Sequence, residues 1–448
     1  MAKVKSIYVC NSCGAMAPKW QGQCAECGAW NTLSETLNSN SIKSHGYAGV
    51  PALVQKLSSV SLETYPRIAT IFSEFNRVLG GGIVPGSVNL IGGDPGIGKS
   101  SILLQIMTVL SAEHSALYVT GEESLEQVAL RAHRMGLPMD DLMMMSETDV
   151  EAICHYIAEH KPKVLVIDSI QTMQMRDLQS AAGGVAQVKE SAARLTQMAK
   201  QCGSAIFLVG HVTKTGEVAG PRVLEHIVDA VIFIEGQSDG RYRLMRAMKN
   251  RFGAVNELGV FAMTDKGMKE VKNPSALFLS RADDDVSGST IISIWEGTRP
   301  LLAEVQALVN DNGFGQPRRL AVGIDQNRLA MLIAVLQRHL GIQLGDKDVF
   351  TNVVGGVKVS ETGIDLALIA AILSSLYDKP IPKDWIIMGE VGLSGEIRPV
   401  PYGQERINEA MKHGFRRAVV PFANKPRKKL ELEVIGIKTL MQLRDIIL

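Results

Sequence analysis

Residues Gly93, Asp94, Pro95, Gly96, Ile97, Gly98, Lys99 and Ser100, followed by Ser101, match GxxxxGK[ST] at every fixed position. This stretch constrains the chain more than any other, because it functions only as a tight loop joining a buried strand to a helix. Both flanks are present: SVNLIG (87–92) is an apolar strand candidate, and Ser100 to Ala112 has helical character. The glycines let backbone N–H groups turn inward around a phosphate. The Lys99 ammonium can then reach the β- and γ-oxygens, and the Ser100 hydroxyl can ligate Mg²⁺. ATP is therefore the expected ligand of 93–101.

The surroundings repeat the same logic. Strand-like ALYVTG (116–121), KVLVIDS (163–169), AIFLVGH (205–211) and AVIFIEG (230–236) follow SVNLIG. Helix-like stretches separate the first four strands: Ser100 to Ala112, Leu125 to Met135 and Val150 to His160, with Val188 to Gln201 preceding AIFLVGH. Fully apolar strands alternating with helices predict a parallel α/β sheet covered on both faces. RYRLMRAMKN and LGVFAMTD come close together after it and predict antiparallel additions at the sheet edge. A chain of 448 residues is too long for one ordinary domain. The expected division is a cysteine module over 1–30, a polar linker over 31–62, the nucleotide domain over 63–272 and a further α/β domain over 285–448. ADDDVSGS (282–289) reads as a second linker, TIISIWEG as the opening strand of the last domain, and Gly363 to Tyr377 as its long apolar helix.

Catalysis needs two further groups. The strand Val164 to Asp168 ends in an acid that can hold the water shell of Mg²⁺ opposite Ser100. Thr120, Gly121, Glu122 and Glu123 end the strand after the loop's helix, where a carboxylate can polarise the attacking water. Glu122 is the preferred base and Glu123 the second choice; the competing role for either is to cap the following helix. His211, Thr213 and Lys214 follow another strand end, in position to sense the γ-phosphate or simply to close a turn. Lys249 and Arg251, in the segment KNRFG (249–253), suit a finger inserted into a neighbouring subunit's site, or an exposed hairpin.

Four of six cysteines fall in the first 27 residues as Cys10-x₂-Cys13 and Cys24-x₂-Cys27. Two such knuckles supply the four thiolates of a closed Zn²⁺ site, whereas a dithiol redox pair would need only one. Cys154 and Cys202 read as inert small residues. Lys19, Trp20 and Trp30 either contact DNA or cover the small zinc core. Net charge is +1, so any anion-binding surface is local, such as Lys425, Arg427, Lys428 and Lys429 with Arg416 and Arg417 upstream. No apolar run reaches the roughly 18 residues of a membrane span, and MAKVKSIYVC lacks the apolar core of a signal peptide. A cytoplasmic protein without membrane association is expected.

FNRVLGGGIVPGSVNLIGGDPGIGKSS, YVTGEES and VLVIDSIQT together resemble the RecA/KaiC class of P-loop ATPases. With the cysteine module, KNRFG and the C-terminal part added, essentially the whole chain resembles the bacterial RadA (Sms) family. That resemblance implies a ring-forming, DNA-stimulated ATPase, a hexamer in our reading, acting on single-stranded DNA and branched recombination intermediates by branch migration alongside RecA. A KaiC-like regulator of a protein partner would use the same core. Residues 290–448 resemble the proteolytic domain of Lon through GIDLALIAAILSSL, MGEVGLSGEIRPV and AVVPFANK. Gly363 falls where the nucleophilic Ser belongs, with Ser360 three residues off register, and Gln404 or Arg406 falls where the Lys belongs. An inactive, Lon-like α/β platform for assembly and DNA binding is expected rather than a protease.

Overall fold

The computed structural model describes residues 66–178, 180–211, 224–236, 241–271, 273–277, 279, 285–312, 315–356 and 358–448, with 6–10, 16–17, 20–23, 28, 30 and 33–37 near the N-terminus. The chain divides into a unit over 1–61 and another over 62–448. In the first, β1 (Ser6–Cys10) lies between β2 (Met16–Ala17) and β3 (Leu33–Leu37), antiparallel to both. Gln23 and Trp30 form an isolated antiparallel bridge, and Gln23 Nε2 donates to the Gly28 carbonyl at 2.9 Å. Cys13, Cys24, Cys27 and the side chain of Cys10 lie outside the described residues, as does the polar stretch 38–62.

The second unit begins with α1 (Ser73–Val78) and builds its first sheet from alternating elements. These are β4 (Val88–Gly93), α2 (Lys99–Leu110), β5 (Ala116–Thr120), α3 (Leu125–Met135), β6 (Met143–Ser146), α4 (Val150–His160), β7 (Val164–Asp168), α5 (Val185–Cys202) and β8 (Ala205–Val209). Then come β9 (Ala230–Gly236), β10 (Tyr242–Asn250), β11 (Leu258–Thr264) and β12 (Gly267–Glu270). The nine strands run in the order β12-β11-β10-β9-β4-β8-β7-β5-β6. The six from β9 to β6 are mutually parallel, and β10, β11 and β12 are antiparallel additions. Every residue of β4, β5, β7 and β8 is buried, as a sheet covered on both faces requires. Alternation divides them cleanly: Val164 and Val166 pack with Ile102 of α2 and Val128 of α3, while Leu165 and Ile167 pack with Ile153 of α4 and Leu195 of α5.

The sequence did not predict β6, because Met143–Ser146 is a partly exposed edge strand without a buried apolar run. It placed RYRLMRAMKN, which runs into KNRFG, among the additions at the sheet edge. β11 and β12 lie outside β10, so that segment ends an interior strand instead.

A second sheet forms from β13 (Ser289–Glu296), β14 (Arg299–Asp311), β15 (Arg319–Val322), β16 (Lys347–Val353), β17 (Trp385–Ile387), β20 (Arg417–Pro421) and β21 (Glu433–Ile437), in the order β15-β16-β14-β13-β17-β20-β21. A small hairpin, β18 (Glu390–Val391) with β19 (Ile397–Arg398), stands apart from it. The helices of this part are α6 (Gln326–Leu340), α7 (Asp365–Tyr377), α8 (Gly403–Lys412) and α9 (Leu440–Ile447). α7 is buried continuously from Asp365 to Ser374, and a 3₁₀ turn over Thr362–Ile364 takes the first residues expected of it.

The two sheets are not insulated from each other. Leu244, Leu258 and Val260 of the first share one core with Ile292, Leu302 and Leu368 of the second. The end of the expected second linker is also built in: the Gly288 amide donates to Ser374 Oγ at 2.9 Å and Ser287 Oγ donates to Asp378 at 2.7 Å. At the seam Arg299 donates to both oxygens of buried Glu74, at 2.8 and 3.1 Å, and to the Leu258 carbonyl at 3.1 Å. Arg246 pairs with Glu296 at 2.7 Å. Arg299→Ala should therefore leave a buried carboxylate short of its main partner and cost about 3 kcal/mol, read by denaturant unfolding. A loss below about 1 kcal/mol would reduce the pair to surface decoration.

Candidate nucleotide site

All the parallel strands end at one rim, and the register there decides which loops meet. Thr120 pairs with Asp168, Ile167 with Leu208, Ile91 with Val209 and Gly93 with Ile234. Residues 93–99, 121–123, 168–169 and 210–211 thus converge at the C-terminal ends of the strands, where open α/β sheets take their ligands.

The loop from Gly93 to Gly98 turns through left-handed conformations, with φ of 148° at Gly93, 73° at Gly96 and 108° at Gly98. A Cβ on Gly93 would stand 2.6 Å from the Ile234 carbonyl, so only glycine passes there. A Cβ on Gly96 would meet nothing within 4 Å, which marks the open mouth of the cradle. Lys99, the first residue of α2, is buried; its Nζ donates to the Gly93 carbonyl at 2.8 Å and the Asp94 carbonyl at 3.0 Å. Burial lowers its pKa below the ordinary lysine value, opposed by the negative charges of Asp168, Glu122 and Asp94.

Lys99 Nζ also lies 3.2 Å from His211 Nδ1. An ammonium has no acceptor, so Nδ1 must accept and the ring proton resides on Nε2. Nε2 faces Glu122 at 3.3 Å from Oε1 and 3.4 Å from Oε2. Ser169 Oγ donates to the same carboxylate. Lysine, imidazole, carboxylate and hydroxyl therefore form one line across the rim. Thr213 and Lys214 lie outside the described residues.

The two glutamates have separate fates. Glu123 is bound by both terminal nitrogens of Arg131, at 3.1 and 2.5 Å. Glu122 is 38% exposed and turns toward His211 and Ser169. Neither is the N-cap of α3, because Ser124 takes that position in a capping box with Gln127. Asp168 is buried and accepts from the Tyr118 hydroxyl at 2.5 Å. Burial first, and then the Asp168 charge, raise the Tyr118 pKa well above normal, so the phenol stays a donor. Ser169, Arg131 and Tyr118 were missed in the sequence. A tyrosine inside an otherwise apolar strand was the available signal, since a buried hydroxyl needs a partner.

Lys249 and Arg251 lie elsewhere. Asn250 pairs with Ala230 at the start of β9, four residues before Ile234, which neighbours Gly93. The segment is therefore at the opposite rim, on the order of 15 Å from its own loop. Lys249 Nζ is tied to the carbonyls of Glu225 and Val228. Arg251, 56% exposed, donates to Asp229 at 3.1 Å. Gly253 abuts Gly80, and Arg67 donates to the carbonyls of Gly80 and Phe252, which fixes the turn.

In the C-terminal part, Gly363 is buried without a side chain, and Arg406 is fully buried. The Arg406 guanidinium holds Glu361 at 2.9 and 2.6 Å and donates to the carbonyls of Ser293 and Pro401. It serves as a structural ion pair. Gln404 donates to Asn408 at 3.3 Å. Lys425, Arg427, Lys428 and Lys429 are exposed, whereas Arg417 is engaged by Glu433 at 2.7 Å and lies over the Trp385 ring. No helix among the described residues is long and apolar enough to cross a membrane.

Sheet order, loop and rim carboxylates define a P-loop ATPase with a RecA-like core. Residues 59–217 match the family model of an AAA domain, 8–35 that of a rubredoxin metal binding domain, which spans all four N-terminal cysteines, and 324–424 that of subunit ChlI of Mg-chelatase. The chain is 59% identical to the DNA repair protein RadA of Escherichia coli K12 over 98% of each chain. It is 60% identical to that of Pseudomonas aeruginosa over 99% of each. Against Bacillus subtilis RadA identity is 47% over 98% of this chain and 97% of the relative. The chain belongs to the RadA family, an ATP-hydrolysing family with a zinc-binding N-terminal module.

The geometry separates the carboxylates experimentally. Glu122→Gln should still bind ATP and lose hydrolysis by roughly 10²–10⁴-fold, measured as phosphate release beside nucleotide affinity. Glu123→Gln keeps a hydrogen-bonding partner for Arg131 and should lose far less. The reverse order of effects would make Glu123 the base.

Proposed function

We propose that this protein is a DNA-stimulated ATPase of DNA repair and homologous recombination. It acts in the cytoplasm on single-stranded DNA and branched intermediates, drives branch migration alongside RecA, and works as a homo-hexameric ring. The observation that carries the reading is the aligned Lys99, His211 and Glu122 at a phosphate loop, in a chain alike over its whole length to proteins named for DNA repair.

In this reading the loop amides of 93–101 cradle the phosphates of ATP. Lys99 exchanges its carbonyl partners for phosphate oxygens, and His211, its neighbour, registers that exchange at Glu122. Glu122 orients and polarises the attacking water, held by Ser169 and His211. Ser100 and Asp168 offer a hydroxyl and a carboxylate, hard oxygen donors suited to Mg²⁺. Held there, such an ion would neutralise charge developing on the transferring phosphoryl group. Cys10, Cys13, Cys24 and Cys27 are assigned to Zn²⁺, which stabilises the N-terminal module. The division 1–30, 31–62, 63–272 and 285–448 is proposed for function, with Leu33–Leu37 of the expected linker belonging instead to the N-terminal module as β3, and the last part serving as a platform without protease activity.

The exposed cations of 425–429 are proposed to meet DNA phosphates. Log affinity for single strands should fall with log salt at a slope of about −0.7 per neutralised phosphate. Replacing Lys425, Arg427, Lys428 and Lys429 together should flatten that slope in a titration across salt; an unchanged slope leaves the patch as solvated surface.

Arg251 is proposed to stabilise the transferring phosphoryl group of a neighbouring subunit, with Lys249 bracing the turn. Its place at the rim opposite its own loop supports action between chains. Arg251→Ala should retain ATP binding and lose roughly 10³–10⁵-fold in rate, while Asp229 keeps Lys200 and the Val88 amide as partners. Mixed with Lys99→Ala subunits, it should recover part of the activity at interfaces joining an intact loop to an intact finger. No recovery in demonstrably mixed assemblies would confine Arg251 to its own chain or to DNA.

A further inference from the structure

Trp20 and Trp30 stand apart from the other tryptophans of the chain. Trp295 stacks on Tyr402 with ring centroids 4.1 Å apart, and Trp385 is covered by the Arg417 guanidinium at 4.4 Å. Trp20 is 55% exposed and Trp30 is 69% exposed. Large aromatic surface left in water is informative, because burying it is among the strongest gains a small module has available. Rings that served chiefly to cover a metal core would lose most of that exposure.

The two indoles border a single residue. A Cβ on Gly22 would touch the Trp30 ring at 3.7 Å and the Trp20 ring at 4.0 Å. Two rings ten positions apart in the sequence thus flank a position with no side chain to separate them. The Gln23–Trp30 bridge and the bond from Gln23 to the Gly28 carbonyl hold that arrangement from one side. Among the described residues beside the rings, Gln21 and Gln23 are exposed amides. An apolar peptide anchor is bound in a dry pocket with an aliphatic wall. Open π-faces among amide side chains instead suit a flat, polar-edged ring.

We propose that Trp20 and Trp30, set about Gly22, form a stacking platform for an unpaired nucleic-acid base. The platform rests on the reading of the chain as a DNA-binding ATPase and adds a base-dependent component to it. Base–aromatic stacking tolerates any sequence, since every base has a π-face, and contributes roughly tenfold in affinity for each ring engaged. It carries no charge, so it strengthens binding without steepening the salt dependence that phosphate contacts produce.

The test compares binding of the full chain to a thymidine oligonucleotide and to an abasic oligonucleotide of the same length, across salt. The wild type should prefer the thymidine strand by about tenfold or more. Trp20→Ala with Trp30→Ala should bind both strands equally with an unchanged salt slope and full zinc content. Trp20→Phe with Trp30→Phe should restore part of the preference. If the double alanine variant loses its zinc, the two single alanine variants carry the comparison. A thymidine preference that survives in zinc-replete alanine variants overturns the platform. Equal binding of both strands by the wild type also overturns it while leaving the DNA reading intact; binding of neither strand removes both.

Discussion

A parallel sheet covered on both faces has nowhere to put polar chemistry except its rims, and that constraint organises the larger unit. Six strands from β9 to β6 run the same way, so each turn that leaves a strand's C-terminal end opens onto the same edge. The phosphate loop, the Glu122 turn, Asp168 and His211 come from four different strands separated by more than 100 residues of chain. No long-range pairing of side chains is needed to gather them. Burial of Val166, Ile167, Leu208 and Ile91 fixes the register, and the register fixes the site. The lowered pKa of Lys99 follows from the same packing, because an ammonium set at the start of a helix against buried strands loses water.

The opposite rim is organised by one buried carboxylate. Asp229 accepts from the Val88 amide at 3.0 Å, from Lys200 at 2.6 Å and from Arg251 at 3.1 Å. It thereby ties the start of β4, the end of α5 and the turn after β10 into one cluster. A buried acid is tolerable only with such a set of donors. The arrangement leaves Arg251 partly exposed beside Asp229, while Lys249 gives its donors to carbonyls of its own chain. The two cations of KNRFG, alike in sequence, are unlike in what they have free.

Much of the fold was legible because its signals are local and redundant. The GxxxxGK[ST] run, the apolar strands and the helices Leu125–Met135 and Val150–His160 each announce themselves within a short window, and the latter two match at both ends. What was not legible depends on neighbours. β6 has a partly exposed surface and is a strand only because β5 offers it an edge. The choice between Glu122 and Glu123 depends on Arg131, eight residues beyond Glu123 on α3, and on a serine that caps the helix in place of either acid. Ser169 is adjacent to Asp168 in the sequence, yet its role follows from Glu122 having been delivered by another strand. Arg406 could be excluded as a general base from chemistry alone, but its service to Glu361 inside the core appears only when α8 is packed.

The shared core at the seam changes how the two sheets of the larger unit should be regarded. Leu244, Leu258 and Val260 belong to strands that extend the nucleotide-binding sheet, and their outward side chains are covered by the second sheet and not by a helix of the first. Removing that cover would expose a contiguous apolar face, a state that a monomeric protein avoids. Arg299, on the second sheet, meanwhile holds Glu74 of α1, and Glu74 in turn accepts from the Val260 amide at 3.1 Å. α1 leads through Gly80, the abutment of Gly253, into the strand that carries the phosphate loop. A displacement of β10 and β11 is therefore mechanically shared with α1, the KNRFG turn and the second sheet, since close-packed interiors transmit shifts and do not absorb them. The C-terminal part is accordingly fixed by a shared core to the antiparallel flank of the nucleotide-binding sheet.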